Sequence, residues 1–262
     1  SAIGQENVVV STLLPANVSP EVTDIRPSMI RQLTHADMIV LNGSLPVEQA
    51  IIRVLVDRKI SVPILLLGKR MQIRGKKSMQ IHGMSNLRVQ VGNHHPNHHH
   101  HHQDPHHWLA LSHVMKQVRF IGEVLEKELP ANAETLVSNK THYLSHLKSM
   151  DQSFRDRLAP YQDRYILTYH GSLGRFAEDY GLHQLSIESD GKEPTIRQLR
   201  TLITTAKKNK IKTVYTQNQF KSETAIVVAK RLRGALVPFS PLRSDYSQMM
   251  NDIIQMIIDG FE

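Results

Sequence analysis

The second half of the chain alternates short apolar runs with segments of helical periodicity, and this alternation restricts the folds that it can adopt. The apolar runs have the length of buried strands and cover Arg164–His170, His183–Ser189, Lys212–Gln217 and Gly234–Phe239. Helical patterns lie between and after them, over Ser172–Tyr180, Thr195–Lys208, Ser222–Arg233 and Tyr246–Ile258. Strands that alternate with helices of this length form βαβ units, so we predict a parallel sheet.

The first half of the chain repeats this pattern. Buried strands are predicted over Asn7–Leu14, Asp37–Asn42 and Val62–Leu67, with a weaker one over Leu87–Gly92. Helices are predicted over Ser28–His35 and Val47–Arg58. We therefore predict an α/β protein with two Rossmann-like lobes, each built on a parallel sheet.

A long helical pattern separates the two halves. After Pro130 the apolar residues recur at intervals of three, four or seven until Pro160, at Leu136, Tyr143, Leu147, Met150, Phe154 and Leu158. A helix of about 28 residues would span roughly 40 Å. We expect an N-terminal lobe over residues 1–130, a single stiff connecting helix over 131–159 and a C-terminal lobe over 160–262.

Composition removes several classes of protein. The chain has no cysteine, which excludes disulfides and thiolate metal sites, and no apolar run approaches the ~20 residues of a membrane span. Lys and Arg number 32 against 24 Asp and Glu, but the clearest basic run, Lys69–Lys77, is short and aromatic residues make up only 5%. We therefore expect no nucleic-acid partner.

A histidine-rich segment lies in the middle of the chain. This His-rich loop covers residues 93–103 and contains His94, His95, His98, His99, His100, His101 and His102. Other residues interrupt it, and its internal position argues against a purification tag. Neutral imidazole binds Zn²⁺, Ni²⁺ and Cu²⁺ well, so the loop is predicted to be an auxiliary metal-binding segment. The alternative is a solvated loop with incidental metal affinity.

Four residues that can ligate a metal follow predicted strands. Glu21, His106, His170 and Asp245 each come after a strand, where the ligands of open α/β sheets bind. Each residue alone is an ordinary loop acid or turn histidine. Taken together, they predict a site for Zn²⁺, Mn²⁺ or Fe²⁺ in the cleft between the lobes.

The order of four motifs resembles one family, the zinc- and manganese-binding solute-binding proteins of ABC importers (the ZnuA/TroA-like group, cluster A-I). Leu13–Gly43 resembles the segment with the first metal ligand, and "DPHHW" (Asp104–Trp108) matches DPHxW, which carries the second. "YHGSLGRFAEDYGL" (Tyr169–Leu182) carries the third, at His170, and "EPT" (Glu193–Thr195) with Ser240–Asn251 fits the C-terminal pattern. A His-rich loop before DPHxW is typical of the zinc-handling members.

The chain departs from this family pattern at three places. Glu21 stands where zinc members have histidine, and Ser240 stands where the family has aspartate, so that Asp245, a water or a loop histidine is left as the fourth ligand. This harder ligand set favours Mn²⁺ or Fe²⁺, whereas the His-rich loop favours zinc; on balance we expect zinc. The first strand and helix of the family pattern have no counterpart in this sequence, either because the chain is truncated or because its N-terminal lobe is reduced. We expect the sheet edge that is exposed without them to be covered by another group.

The resemblance implies a binding protein without catalysis. It would capture the metal outside the cytoplasm, in the periplasm or its equivalent, and deliver it to an ABC permease in the membrane; we expect a monomer. The sequence carries no signal peptide, although "SAIGQEN" resembles a trimmed start. The alternatives are a metal buffer or sensor that relies on the His-rich loop, and a zinc hydrolase with Glu21 as general base.

Overall fold

The protein is described by a computed structural model that covers residues 2–15, 18–21, 24–43, 45–67, 89–91, 104–188, 191–220 and 222–262. The chain divides into two compact units. The first unit consists of Ser1–His107 and Met115–His146, and the second of Trp108–Val114 and Leu147–Glu262. The lobe boundaries given above, with a separate connecting segment over 131–159, stay a prediction.

The first unit contains a three-stranded parallel sheet. Along the chain come α1 (Pro27–Thr34), β1 (Ile39–Leu41), α2 (Pro46–Asp57), β2 (Ile64–Leu66) and β3 (Val89–Val91). The strand order is β1-β2-β3, with Ile39 beside Ile64. Both helices carry proline in their first turn, where its missing N–H costs no hydrogen bond. The predicted helices and the last three predicted strands of this half are confirmed.

The strand predicted over Asn7–Leu14 is wrong. Residues Gln5–Asn7 form a 3-10 turn, and residues 8–12 have no regular structure. The side chains of Val9 and Val10 are 93% and 70% exposed. A valine-rich run indicates β propensity, but that propensity reflects packing beside a neighbouring strand and on a buried face. Within the described part of the chain this segment has neither.

Two long helices follow the His-rich loop. The first, α3 (Leu111–Glu128), is not predicted by the pattern above, whereas the second, α4 (Ala133–Leu158), confirms the long helix. Helix α4 buries Leu136, Leu147, Phe154 and Leu158 completely, in agreement with the predicted apolar stripe. No helix among the described residues combines the length and apolarity needed to cross a bilayer.

The second unit contains a four-stranded parallel sheet. Its elements are β4 (Tyr165–Thr168), α5 (Gly174–Asp179), β5 (His183–Ser186), α6 (Ile196–Lys208), β6 (Thr213–Gln217), α7 (Glu223–Leu232), β7 (Ala235–Phe239) and α8 (Tyr246–Asp259). The hydroxyl of Thr195 accepts a hydrogen bond from the Gln198 N–H and caps α6, and Ser222 caps α7 in the same way. All eight predicted elements of this half are confirmed.

The strand order of this sheet creates a topological switch point. The order is β5-β4-β6-β7, so the chain leaves β4 towards one side and later returns to its other side. At such a point the connections after β4 and β6 diverge, and they leave a crevice at the carboxyl ends of these strands. His170 lies two residues after β4, at this edge. The core beneath consists of apolar residues such as Leu167, Val214 and Val228.

Candidate metal centre

His106 is oriented by a carboxylate two residues before it. The ring Nδ1 lies 2.6 Å from Oδ1 of Asp104, and the same oxygen accepts the backbone N–H of His106 at 2.9 Å. Because an ionised carboxylate only accepts, this contact holds the proton on Nδ1 and leaves the lone pair on Nε2. A histidine fixed in this way presents Nε2 as a metal ligand. The residue is 4% exposed.

Glu21 lies beside this histidine. Its Oε1 is 3.3 Å from Nε2 of His106, and its side chain is half-buried. Both atoms can ligate a divalent cation, the carboxylate oxygen through its negative charge and Nε2 through its lone pair. Glu21 and His106, which the sequence predicts as ligands, therefore lie side by side within the first unit.

A buried network supports the His106 segment. Glu48 is 4% exposed, and its Oε2 accepts the backbone N–H groups of Gly43 and Leu45, both at 2.9 Å. Its Oε1 accepts the backbone N–H of Asn42. The side-chain amide of Asn42 in turn donates to the carbonyl of Pro105 at 2.8 Å. The loop after β1 is thus fixed by a buried carboxylate, and it holds the residue that precedes His106.

His170 has the same arrangement in the second unit. Its Nδ1 lies 2.6 Å from Oε1 of Glu188, which follows β5, and both side chains are largely buried. One face of the ring stacks on Phe220, with centroids 5.0 Å apart. The contact with Glu188 again directs the lone pair to Nε2. His170 therefore lies where the sequence predicts it, at the carboxyl edge of the sheet, with its ring orientation fixed from two sides.

A tyrosine beside His170 connects the "EPT" segment (Glu193–Thr195) to this edge. The hydroxyl of Tyr169 donates to Oε1 of Glu193 at 2.8 Å. Burial, together with this hydrogen bond, raises the pKa of the Tyr169 phenol, so the residue stays neutral at physiological pH. Glu193 thus contributes to the support of the strand end rather than to the predicted ligand set.

Asp245, the fourth predicted ligand, lies at the start of α8. Its exposed carboxylate accepts the backbone N–H of Gln248 at 3.0 Å and caps α8. Among the described residues, Glu21, His106 and His170 could each offer one ligand atom to a metal ion, and Asp245 does not belong to this group. The predicted histidines of the His-rich loop, His94, His95 and His98 to His102, lie outside the described residues.

Sequence reasoning missed the carboxylates that orient the two histidines. Asp104 is part of the "DPHHW" motif, and its spacing from His106 could have indicated the contact. Glu188 carries no such signal, because it is 18 residues away from His170 along the chain. The contact follows only from the register of β4 with β5, which pairs Thr168 with Ser186. His170 and Glu188 each lie two residues beyond this pair, so the register places them side by side.

Comparison with known proteins identifies the family. The model of the ZnuA family, described as the periplasmic component A of zinc-uptake complexes, matches residues 1–260. The chain belongs to this family. The resemblance drawn from the sequence motifs is thereby confirmed.

Relatives of this ZnuA-family chain have been named as zinc-binding proteins. The zinc-binding protein AdcA of Streptococcus pyogenes serotype M3 is 27% identical over 239 residues, which cover 89% of this chain and 46% of AdcA. The zinc-binding lipoprotein AdcA of Streptococcus pneumoniae strain R6 is 30% identical over 157 residues, with coverages of 59% and 30%. The chain thus spans about half the length, or less, of these curated relatives.

Solved structures show the same fold. A crystal structure of ZnuA has a TM-score of 0.80 and 26% identity, and the match covers 100% of this chain and 93% of that one. FpvC of Pseudomonas aeruginosa, solved in complex with Mn²⁺, has a TM-score of 0.74 over 99% of this chain and 92% of its own. At 21% identity this second likeness concerns the fold alone. The predicted α/β class with two parallel sheets is confirmed.

Proposed function

We propose that this chain captures a divalent transition metal, with zinc preferred, and delivers it to the permease of an ABC importer. The observation that carries the proposal is that both His106 and His170 have their Nδ1 atoms held by carboxylates at 2.6 Å. This is the arrangement of histidines that ligate metals. Membership in a family described as a zinc-uptake component supports the same function.

The proposed ligands are Glu21, His106 and His170. Two imidazoles and one carboxylate bind Zn²⁺ well, and they also suit Mn²⁺ and Fe²⁺. The names of the AdcA relatives favour zinc, and Mn²⁺ stays the alternative because a carboxylate ligand suits it. Asp245 remains a helix cap in this proposal, and the His-rich loop serves as an auxiliary segment that collects metal.

In this proposal the chain binds and delivers a metal ion and catalyses no reaction. The family description supports a component that acts outside the cytoplasm and with membrane partners, and we infer that the chain works as a monomer. A zinc hydrolase is the alternative, with Glu21 acting on a metal-bound water. Measurable turnover of simple ester or peptide substrates by the zinc-loaded protein would favour that alternative.

Calorimetric titration of the metal-stripped protein with Zn²⁺ and with Mn²⁺ tests the proposal. The variants are His106→Ala, His170→Ala and a deletion of residues 93–103, and His142→Ala on the exposed surface of α4 is the matched control. We expect one tight zinc site that survives the deletion and the control but is lost with either ligand histidine. Zinc binding that disappears with the loop alone would instead indicate a metal buffer, and tighter Mn²⁺ binding would reassign the metal.

A further inference from the structure

Positive charge is concentrated in one segment of the second unit. Residues 192–233 contain eleven Lys and Arg against two Asp and Glu, whereas the whole chain has 32 against 24 and a formal net charge of +8. The net charge of this one segment therefore exceeds that of the entire chain. Because ordinary surfaces mix charges of both signs, such a concentration indicates a partner of opposite charge.

Helices α6 and α7, which belong to this segment, cover the same face of the sheet. Val214 of β6 packs in one apolar cluster with Ala206 of α6 and Ala229 of α7. The next strand residue, Tyr215, faces the other way, and its hydroxyl donates to the carbonyl of Met256 in α8 at 3.2 Å. The two basic helices thus lie side by side, and α8 lies on the opposite face.

The C-terminal ends of these two helices bring basic turns together at the amino edge of the sheet. Thr213 pairs with Ala235 in the β6–β7 ladder, and the Ala235 N–H donates to the carbonyl of Lys212 at 2.8 Å, so the turns before the two strands are adjacent. We call residues 207–212 and 230–233 the basic patch. It contains seven Lys and Arg, all of them exposed, and no acidic residue. In the part of the chain that the structure describes, no acidic side chain forms a salt bridge with any of the seven.

Helix stability does not account for the whole patch. The four basic residues in the last turns of α6 and α7 complement the helix dipoles. Lys210, Lys212 and Arg233 lie beyond these turns. Lys210 and Arg233 also have φ angles of 56° and 53°, a conformation for which glycine is the usual residue at a helix end. Neither the helices nor the turns require a cation at these three positions, and mutual repulsion disfavours cations there.

We propose that the basic patch binds the phosphate headgroups of an anionic membrane surface. Five of its seven basic residues are lysines, which are depleted in protein–protein interfaces but are attracted to anionic lipids. One turn before the two basic residues of α7, the side chains of Ile226 and Val227 are 43% and 45% exposed. Aliphatic side chains beside cations suit the boundary between headgroups and acyl chains, whereas they offer a nucleic acid no stacking.

The patch and the proposed metal ligand of this unit lie at opposite edges of the sheet. The patch precedes β6 and β7 at their amino ends, and His170 follows β4 at its carboxyl end. Contact of the patch with a membrane therefore leaves His170 uncovered. Such contact would shorten the search of the chain for its permease, and this benefit, unlike the patch itself, rests on the proposed function.

Sedimentation of the protein with lipid vesicles tests the inference. The vesicles contain phosphatidylglycerol for an anionic surface, or phosphatidylcholine alone for a neutral one. The test variant is Lys210→Gln/Lys212→Gln/Arg233→Gln. The matched control is Lys116→Gln/Arg119→Gln/Lys127→Gln, which removes the same charge from exposed positions of α3, a helix in which acidic residues are interspersed. Circular dichroism checks that both variants are folded.

At low ionic strength we expect the wild type to bind the anionic vesicles but not the neutral ones, and to be released at about 1 M salt, where the Debye length is about 3 Å. The test variant should bind about 100-fold more weakly, since each basic residue near the surface contributes about fivefold. The control should lose no more than about threefold, because its charges act only from a distance.

Absence of wild-type binding to the anionic vesicles would overturn the inference, as would equal losses in the two variants. Tighter binding to poly-glutamate than to the vesicles would assign the patch to an acidic protein partner and would also overturn it. We expect the zinc affinity of the test variant to equal that of the wild type. Failure of membrane binding and failure of the proposed metal binding are therefore seen in separate measurements.

Discussion

Replacement of Glu188 by glutamine isolates the effect of one buried charge on His170, a proposed metal ligand. The carboxylate lies 2.6 Å from Nδ1 of His170, and its side chain is 6% exposed, so solvent screens the interaction little. Glutamine can still accept the Nδ1–H bond, but a charge-assisted hydrogen bond becomes a neutral one of roughly half the strength. The His170 ring is then a weaker base and a less firmly oriented ligand.

The expected loss is about 10- to 100-fold in zinc affinity, the usual range for groups that orient a metal-bound histidine. This corresponds to about 1.4–2.7 kcal/mol. Chelator competition at constant pH and ionic strength measures it, and circular dichroism checks the fold. Glu193→Gln is the matched control, because Glu193 accepts a hydrogen bond from the neighbouring Tyr169 hydroxyl but does not orient the histidine. A folded Glu188→Gln protein with wild-type zinc affinity would refute the reasoning.

Three further predictions concern the stability of the fold, measured by urea unfolding. Glu48→Gln should lower the free energy of unfolding by about 2–4 kcal/mol, because the buried carboxylate accepts several backbone N–H groups; an unchanged midpoint would contradict this. Gly234→Ala should lower the free energy of unfolding by about 2–3 kcal/mol, since an added Cβ would clash with the backbone carbonyl oxygen of Lys212. The matched control, Gly191→Ala, at φ +74° in open space, should cost about 1 kcal/mol, and equal costs would argue against the clash. Phe154→Ala, at a fully buried position of α4, should lower the free energy of unfolding by about 3–5 kcal/mol. Val137→Ala is the control, because Val137 is 42% exposed on the same helix, and it should cost about 0.5 kcal/mol or less. Similar losses in the two variants would mean that the space around residue 154 closes without leaving a cavity.

The sequence predicted the second unit well because its signals are local. Thr195 and Ser222 are helix caps that can be read from the sequence alone, and each marks a helix start to within one residue. The apolar runs before these helices have the length of buried strands and lie between helical segments, which is typical of a parallel sheet. His170 follows from the same reasoning, since it directly ends one of these runs.

The features that sequence reasoning missed depend on long-range pairing. The Asn7–Leu14 segment has the composition of a strand, but a strand also requires a neighbour, and composition does not report one. The contact of His170 with Glu188 follows from the order and register of the parallel strands β4 and β5. Helix α3 (Leu111–Glu128) was missed for a different reason. Its apolar residues recur at helical spacing, at Leu111, Val114, Val118, Ile121 and Leu125, but Ala110 before it is not a capping residue that would mark a start.

The fixed orientation of the two histidines has a kinetic consequence. Asp104 holds His106 within the first unit and Glu188 holds His170 within the second, so neither ring needs the metal to become ordered. The rotamer entropy of each ring, about 0.5–1.5 kcal/mol for an immobilised side chain, is lost during folding and not at the moment of capture. In the proposed function, an arriving ion therefore meets ordered imidazoles, and its association is not slowed by a rearrangement of these rings.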